Sequence, residues 1–290
     1  MSDQITSLLA CVESATLAPI KPGLHSRAAC LTEAGSQENA VALRGWRCVG
    51  DTISCLQSPM VCISDRGKYF GEPGNDGAAA IGGTLVSVLA KLTGQNRTDV
   101  ANSLEFASRV AAKEAGPDDH TSQYWEEFKK SLFQIGWLKQ KDEWSKDFVD
   151  GQTSGSENFS DHVITNVRND PLYSEAEKSI VIRAMESLRS QVAKRAFFRR
   201  FTAGGSKGSY GVNVATVNNG ALALRFSVFS FNCNAAVDDY LIFNIKHIKA
   251  DVQKDNVDVA ANQRTIDSLR SKIEAKLDKT AGDYIDGVDI

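Results

Sequence analysis

Neither sign of charge dominates this chain. Its 33 Lys and Arg stand against 36 Asp and Glu, for a formal net charge of -3 at pH 7. A dedicated nucleic-acid binder usually carries a strong basic excess, so nucleic acid is not an expected partner. Cysteine is scarce as well, and six in 290 residues are too few for a disulfide scaffold. Cys48, Cys55 and Cys62 recur at steps of seven, whereas zinc sites need close ligand pairs two to four residues apart. The thiols therefore read as packing residues and no metal is expected. A bridge among Cys30, Cys48, Cys55 and Cys62 stays open if the protein is exported.

Long apolar runs are also missing. The longest, residues 78–90, is interrupted by Gly82, Gly83, Thr84 and Ser87 and falls short of the ~20 residues that cross a bilayer. It reads as a buried core helix, with a membrane-inserting hairpin or amphipathic anchor as the alternative. The first residues, Met1-Ser2-Asp3-Gln4, offer an acid where a secretory signal has Lys or Arg, and Glu13 ends the apolar patch at 8–12. No signal peptide is expected. The protein is expected in the cytoplasm at synthesis, with release or membrane association by a route that needs no such signal.

What is present is a change of period along the chain. Residues 1–75 are broken by Pro19, Pro22, Gly23, Pro59, Gly67, Gly71, Pro73 and Gly74, so they read as an irregular segment packed on the rest. Only a helix at 3–14 and short strands at 49–55 and 60–64 suggest themselves there. Residues 76–290 read as one structural unit. Asp76 or Asn75 can cap a helix over 76–92. A second helix, 97–114, carries Val100, Leu104, Ala107 and Ala111 at steps of three and four, and a third, 122–135, carries Trp125, Phe128, Leu132 and Ile135. A fourth spans 174–198 behind Ser174 and Glu177, a capping box. The polar stretch 139–170 reads as containing loop.

From Ser209 the period is two. Tyr210, Val212, Val214 and Thr216 alternate before Asn218-Asn219-Gly220, a hairpin turn signal. Strands over 221–231 and 239–249 follow, then a further strand at 251–259 and an amphipathic helix at 262–278. Strands apolar on both faces must be covered on both. The expected fold is α+β, an antiparallel sheet in the C-terminal half covered by the helices at 76–92, 97–114 and 174–198.

Catalytic motifs are few. Neither Gly-x-Ser-x-Gly nor His-Glu-x-x-His occurs, and the four histidines are His25, His120, His162 and His247. The segment Ala203-Gly204-Gly205-Ser206-Lys207-Gly208-Ser209 faintly suggests a phosphate loop. Its Lys precedes the Gly, and a strand follows where a P-loop has a helix, so it reads as a connector. Cys233 with His247 could form a thiol–imidazole pair, and Asp238-Asp239 reads as a turn. Cys233 also closes the most aromatic run, Phe226-Ser227-Val228-Phe229-Ser230-Phe231-Asn232, where a thiol facing an apolar pocket suits thioester acylation and weak membrane anchoring. The cluster Lys194-Arg195…Arg199-Arg200, interleaved with Phe197, Phe198 and Phe201, reads either as a cationic helix end or as a contact with anionic lipid.

Several pieces together carry a resemblance. They are Val100-Ala101-Asn102-Ser103-Leu104 with Ala107 and Ala111-Ala112-Lys113; Trp125…Phe128…Ser131-Leu132…Ile135-Gly136-Trp137; Tyr240-Leu241-Ile242-Phe243; and Ile266…Leu269-Arg270…Ile273…Lys276-Leu277…Tyr284-Ile285. Over residues 97–290 the chain resembles a group of bacterial and fungal proteins related to the virulence factor Evf. The resemblance implies an α+β protein that aids bacterial persistence in an insect gut, with a palmitoyl group on a cysteine and its chain in an apolar pocket. It places that cysteine near Val214, where Asn213-Val214-Ala215 has no thiol; Cys233 is the substitute. The expected function is thus a non-enzymatic, toxin-like virulence protein whose partners are a lipid or membrane surface and a host factor. Covalent palmitate would be its only prosthetic group. The alternatives are a thiol-dependent enzyme using Cys233 and His247, or a structural, partner-binding protein without lipid.

Overall fold

The computed structural model describes residues 70, 73–81, 83–115, 122–150, 159–190, 203–204, 207–233 and 249–286. The strands are β1 (Gly77–Ile81), β2 (Thr84–Val88), β3 (Trp137–Asp150), β4 (Ala203–Gly204), β5 (Lys207–Asn218), β6 (Ala221–Cys233) and β7 (Lys249–Ala261). The helices are α1 (Gly94–Ala115), α2 (Ser122–Gln134), α3 (Phe159–Asn169), α4 (Glu175–Ser190) and α5 (Gln263–Asp286). One sheet runs in the order β1-β2-β5-β6-β7-β3, with β4 paired to β5. All pairings are antiparallel except β2 with β5. The class is α+β.

Helices cover both sheet faces, and the alternation along each strand shows how. On β6, Leu222, Leu224, Phe226 and Val228 join one core with α1, α2 and α5. Phe229, Phe231 and Cys233, at the odd positions, join a second core with α3 and α4. Trp125 and Leu132 of α2 both enter the first core, as their spacing predicts. Phe128 stacks on Phe226, ring centroids 5.1 Å apart, and Trp125 lies 5.5 Å from the same ring. The indole Nε1 donates to Ser209 Oγ at 2.6 Å, which satisfies its buried polar end.

Local signals explain the punctuation. Asn219 and Gly220 both have positive φ, 49° and 79°, the type I′ geometry of a two-residue hairpin, and Asn218 pairs with Ala221. Ser174 Oγ and the Glu177 carboxylate close the capping box before α4, with the Ser174 amide donating to Glu177 at 2.8 Å. Gly136 ends α2 at φ +107°, where a Cβ would lie 2.9 Å from Thr265 Cγ2, so glycine is required twice over. Asn262, whose Oδ1 accepts the Thr265 amide, caps α5.

Several expectations are corrected. Residues 76–92 are not a helix. Ile81 pairs with Thr84, making β1 and β2 a tight hairpin. Every residue of both strands is buried, so no alternation marks them, and an unbroken apolar run does not distinguish strand from helix. The stretch 139–170, expected to contain loop, holds most of β3 and all of α3. The sheet is therefore not confined to the C-terminal half and is not purely antiparallel. The strand beside β6 is β7, Lys249–Ala261, and not one at 239–249, of which residues 239–248 lie outside the described residues. Ala203–Ser209 is no open connector, since Ala203 pairs with Gly208. The helix at 97–114 begins earlier, at Gly94, and that at 174–198 is described to Ser190. The elements expected at 3–14, 49–55 and 60–64, Cys30, Cys48, Cys55 and Cys62, and the basic cluster at 194–200 also lie outside the described residues.

Candidate functional site

Cys233 is the last residue of β6, paired with Ala250 of β7. Strand alternation places it on the same face as Phe229 and Phe231, and it is 6% exposed within the second core. Around that core stand Phe159 of α3, Met185 and Leu188 of α4, and Tyr210 of β5. Phe159 and Phe231 lie 4.8 Å apart between ring centroids. The thiol is free, and burial pushes its pKa up to about 11. At neutral pH the group is a protonated thiol, a weak nucleophile. A thioester, being neutral, suffers no comparable penalty from the same surroundings.

His247, the partner expected for Cys233, lies outside the described residues. His162 is on α3, where Nε2 meets Asn166 Nδ2 at 3.0 Å. Val214, near which the family resemblance puts the acylated position, is fully buried in the second core beside Tyr210 and Val212. Among the described residues, no group of three His, Cys, Asp or Glu is placed to hold a metal ion, and no helix is long and apolar enough to cross a membrane.

The same face of β6 turns polar toward its start, and here the structure shows a cluster that motif reading missed. Arg225 donates through Nε and Nη2 to both oxygens of Asp258, at 2.8 and 3.1 Å. Its Nη1 donates to the Leu172 carbonyl, and its guanidinium lies 4.9 Å from the centre of the Tyr173 ring. Ser227 Oγ donates to Asn256 Oδ1 at 2.7 Å, which leaves Tyr173 Oη as donor in its 2.8 Å bond to Ser227. Lys254 Nζ meets Asp170 Oδ2 at 2.8 Å, and Asp170 Oδ1 accepts the Leu172 amide.

Electrostatics in this cluster follow from those contacts. Burial alone would raise the Asp170 carboxyl; the Lys254 and Leu172 hydrogen bonds and the charges of Lys254 and Arg225 outweigh it and hold the pKa below the usual range. Burial likewise pulls Arg225 down, and the bonds and charge of Asp258 more than restore it. Burial raises the Tyr173 phenol, only partly offset by Ser227. These donors and acceptors satisfy one another, so the cluster clamps the turn between α3 and α4 onto β6 and β7. One signal was available beforehand: a charged Arg225 inside the apolar strand Ala221–Cys233 demands a partner within reach.

A groove of about 470 Å³ opens elsewhere, between α2 and β3, lined by Glu126, Lys129, Lys130, Phe133, Lys139 and Asp142 among others. Lys129 bridges Glu126 and Asp255 at 2.8 Å each, and Lys130 and Lys139 pair with Glu127 and Asp142. Opposite charges are thus already matched along its wall.

No protein-family model matches the chain, and no curated protein does. Solved structures with weak similarity to it include the following two. One is a delta-endotoxin, at 12% identity and TM-score 0.38 over 63% of this chain and 85% of that one. The other is the Evf virulence factor, at 15% identity and TM-score 0.33 over 75% of this chain and 85% of that one. Likeness this slight carries no argument about activity.

Proposed function

We propose that the protein is a non-enzymatic, toxin-like virulence protein that acts at a host membrane through an acyl chain or lipid held against its second core, with Cys233 as the attachment point. The supporting observation is the position of Cys233: it closes β6 on the face that carries Phe229 and Phe231, in an apolar layer shared with α3 and α4. Surroundings that disfavour a thiolate leave a neutral thioester unpenalised, and an acyl chain leaving that sulfur would meet aromatic and aliphatic side chains rather than water. A single acyl chain gives weak, reversible membrane binding, which suits a protein that passes between water and a lipid surface.

The intact mass of protein purified from its native source tests the covalent part. A palmitoyl increment that maps to the Cys233 peptide and disappears in Cys233→Ala supports it. Flotation with neutral and anionic liposomes tests the membrane part. An unmodified mass together with failure to float on either lipid overturns the proposal.

A further inference from the structure

Among the asparagines of the chain, Asn219 alone is followed by glycine. The pair forms the tip of the β5–β6 hairpin, where Asn219 and Gly220 have φ of 49° and 79°. Both are exposed, as are Asn218 and Ala221 on either side. A Cβ built on Gly220 would meet nothing within 4 Å, so the space beside the tip is open. In a two-residue hairpin the ladder closes at the flanking pair, here Asn218 and Ala221, which leaves the Gly220 amide outside it. The side-chain carbonyl carbon of Asn219 and the main-chain nitrogen of Gly220 are therefore neighbours, with no following side chain to crowd their approach. By contrast Asn102 and Asn213 are buried, and the residues after them, Ser103 and Val214, carry side chains that hinder the same approach.

We propose that Asn219 is a self-modification site, at which the folded protein releases the side-chain amide as ammonia and gains a carboxylate or a lengthened backbone in the hairpin turn. The Gly220 nitrogen attacks Asn219 Cγ. A bond forms between them, the Cγ–Nδ2 bond breaks, and the leaving nitrogen departs as ammonia with the proton that Gly220 loses. Water then opens the resulting cyclic imide at either carbonyl, giving aspartate or isoaspartate at position 219. Ring closure requires Asn219 to leave its left-handed conformation briefly. The residues at the tip are all exposed, so that opening is local and does not require the buried part of the hairpin to separate. The two products differ in their effect. Aspartate keeps the length of the main chain, and Asp-Gly accepts the same type I′ turn. Isoaspartate carries the main chain through Cβ and Cγ, which adds a methylene to a turn whose length sets the register of both strands. The Asn218–Ala221 pair then no longer closes the ladder. The change acts where β6 starts, at the opposite end of that strand from Cys233.

The experiment is incubation of the folded, full-length protein at mildly alkaline pH, followed by digestion, peptide mass mapping and isoaspartate detection. The expected result is conversion of amide to acid in the peptide that contains Asn219, ahead of every other asparagine, and faster as pH rises. Asn219→Gly removes the reacting amide while Gly-Gly still accepts the type I′ turn, so this variant should keep its native circular dichroism and show no conversion there. Ion exchange separates the modified protein from the unmodified, and hydrogen exchange reads the hairpin in each fraction. Amides at the turn end of β5 and β6 should lose protection in the isoaspartate fraction and keep it in the aspartate fraction. Conversion that occurs only in protein unfolded by urea overturns the proposal, as does native protein that converts first at another asparagine. An isoaspartate fraction as well protected at the turn as the aspartate fraction overturns the structural consequence.

Discussion

Arg270→Leu should destabilise the protein more than Arg270→Leu combined with Asp99→Leu. Arg270 of α5 donates to both oxygens of Asp99 of α1, at 2.7 and 2.9 Å, and this contact ties two of the three helices over the first core. Asp99 is the buried partner, its side chain 1% exposed, whereas Arg270 is 22% exposed. Hydrogen bonds to Asp99, opposed by burial and then reinforced by Asp267, hold the Arg270 guanidinium above its ordinary pKa. Removing Arg270 leaves a carboxylate in a nearly dry site, where Gln95 Nε2, 3.1 Å away, still donates to it. Breaking a fully buried pair costs about 3–5 kcal/mol; water can reach the vacated side here, so about 2–4 kcal/mol is the expected loss. Replacing both partners by leucine removes the stranded charge and fills the volume, and should lie within about 1 kcal/mol of native. The assay is urea unfolding followed by circular dichroism, with the m-value checked for constancy. A single variant as stable as native, or a double variant that loses as much as the two singles combined, would refute this account.

Three other changes probe separate parts of the molecule. Leu132→Ala, at a residue 2% exposed in the first core, should cost about 2–5 kcal/mol in the same urea titration, and a loss under 1 kcal/mol would mean that α2 does not seal that core. Asp170→Asn keeps the acceptor for the Leu172 amide but removes the charge facing Lys254, so it should cost about 1.5–3 kcal/mol at neutral pH. Because the folded Asp170 pKa is depressed, that stability exists above the unfolded pKa and is lost as pH falls through the folded one. Native and variant stabilities should therefore converge in acid, and a gap that persists there contradicts the clamp. Alkylation of Cys233 in the folded, unacylated protein should be slow at pH 7 and should accelerate toward pH 11, where its thiolate forms; rapid labelling at pH 7 would show an accessible, activated thiol and favour the enzyme reading.

How far the fold is legible in the sequence depends on whether an element has one wet face. Helices α1, α2 and α5 keep a polar face, so the three-to-four spacing of Val100, Leu104, Trp125, Leu132, Ile266 and Ile273 reports them directly. The β5–β6 hairpin is legible because Asn219-Gly220 supplies the positive φ its turn needs. β1 and β2 lose that contrast, being buried throughout, and alanine-rich Gly77–Ile81 carries high helix propensity besides. β3 fails for the opposite reason. Its run Lys139-Gln140-Lys141-Asp142-Glu143 is polar at every position and shows no alternation, and the pairing with β7 makes it a strand. The same logic governs the site. Cys233 stands out because it ends an aromatic strand, whereas the clamp on that face joins Arg225, Tyr173, Asp170 and Lys254 from three separate stretches of chain, and no local spacing encodes a contact that exists only after β6, β7 and the α3–α4 turn have assembled. A lone charge in an apolar strand nonetheless announces that some such partner must exist, because an unpaired guanidinium there would cost more than the fold could offset. The sequence thus implies the Arg225 clamp in kind, and the sheet order decides which carboxylate completes it.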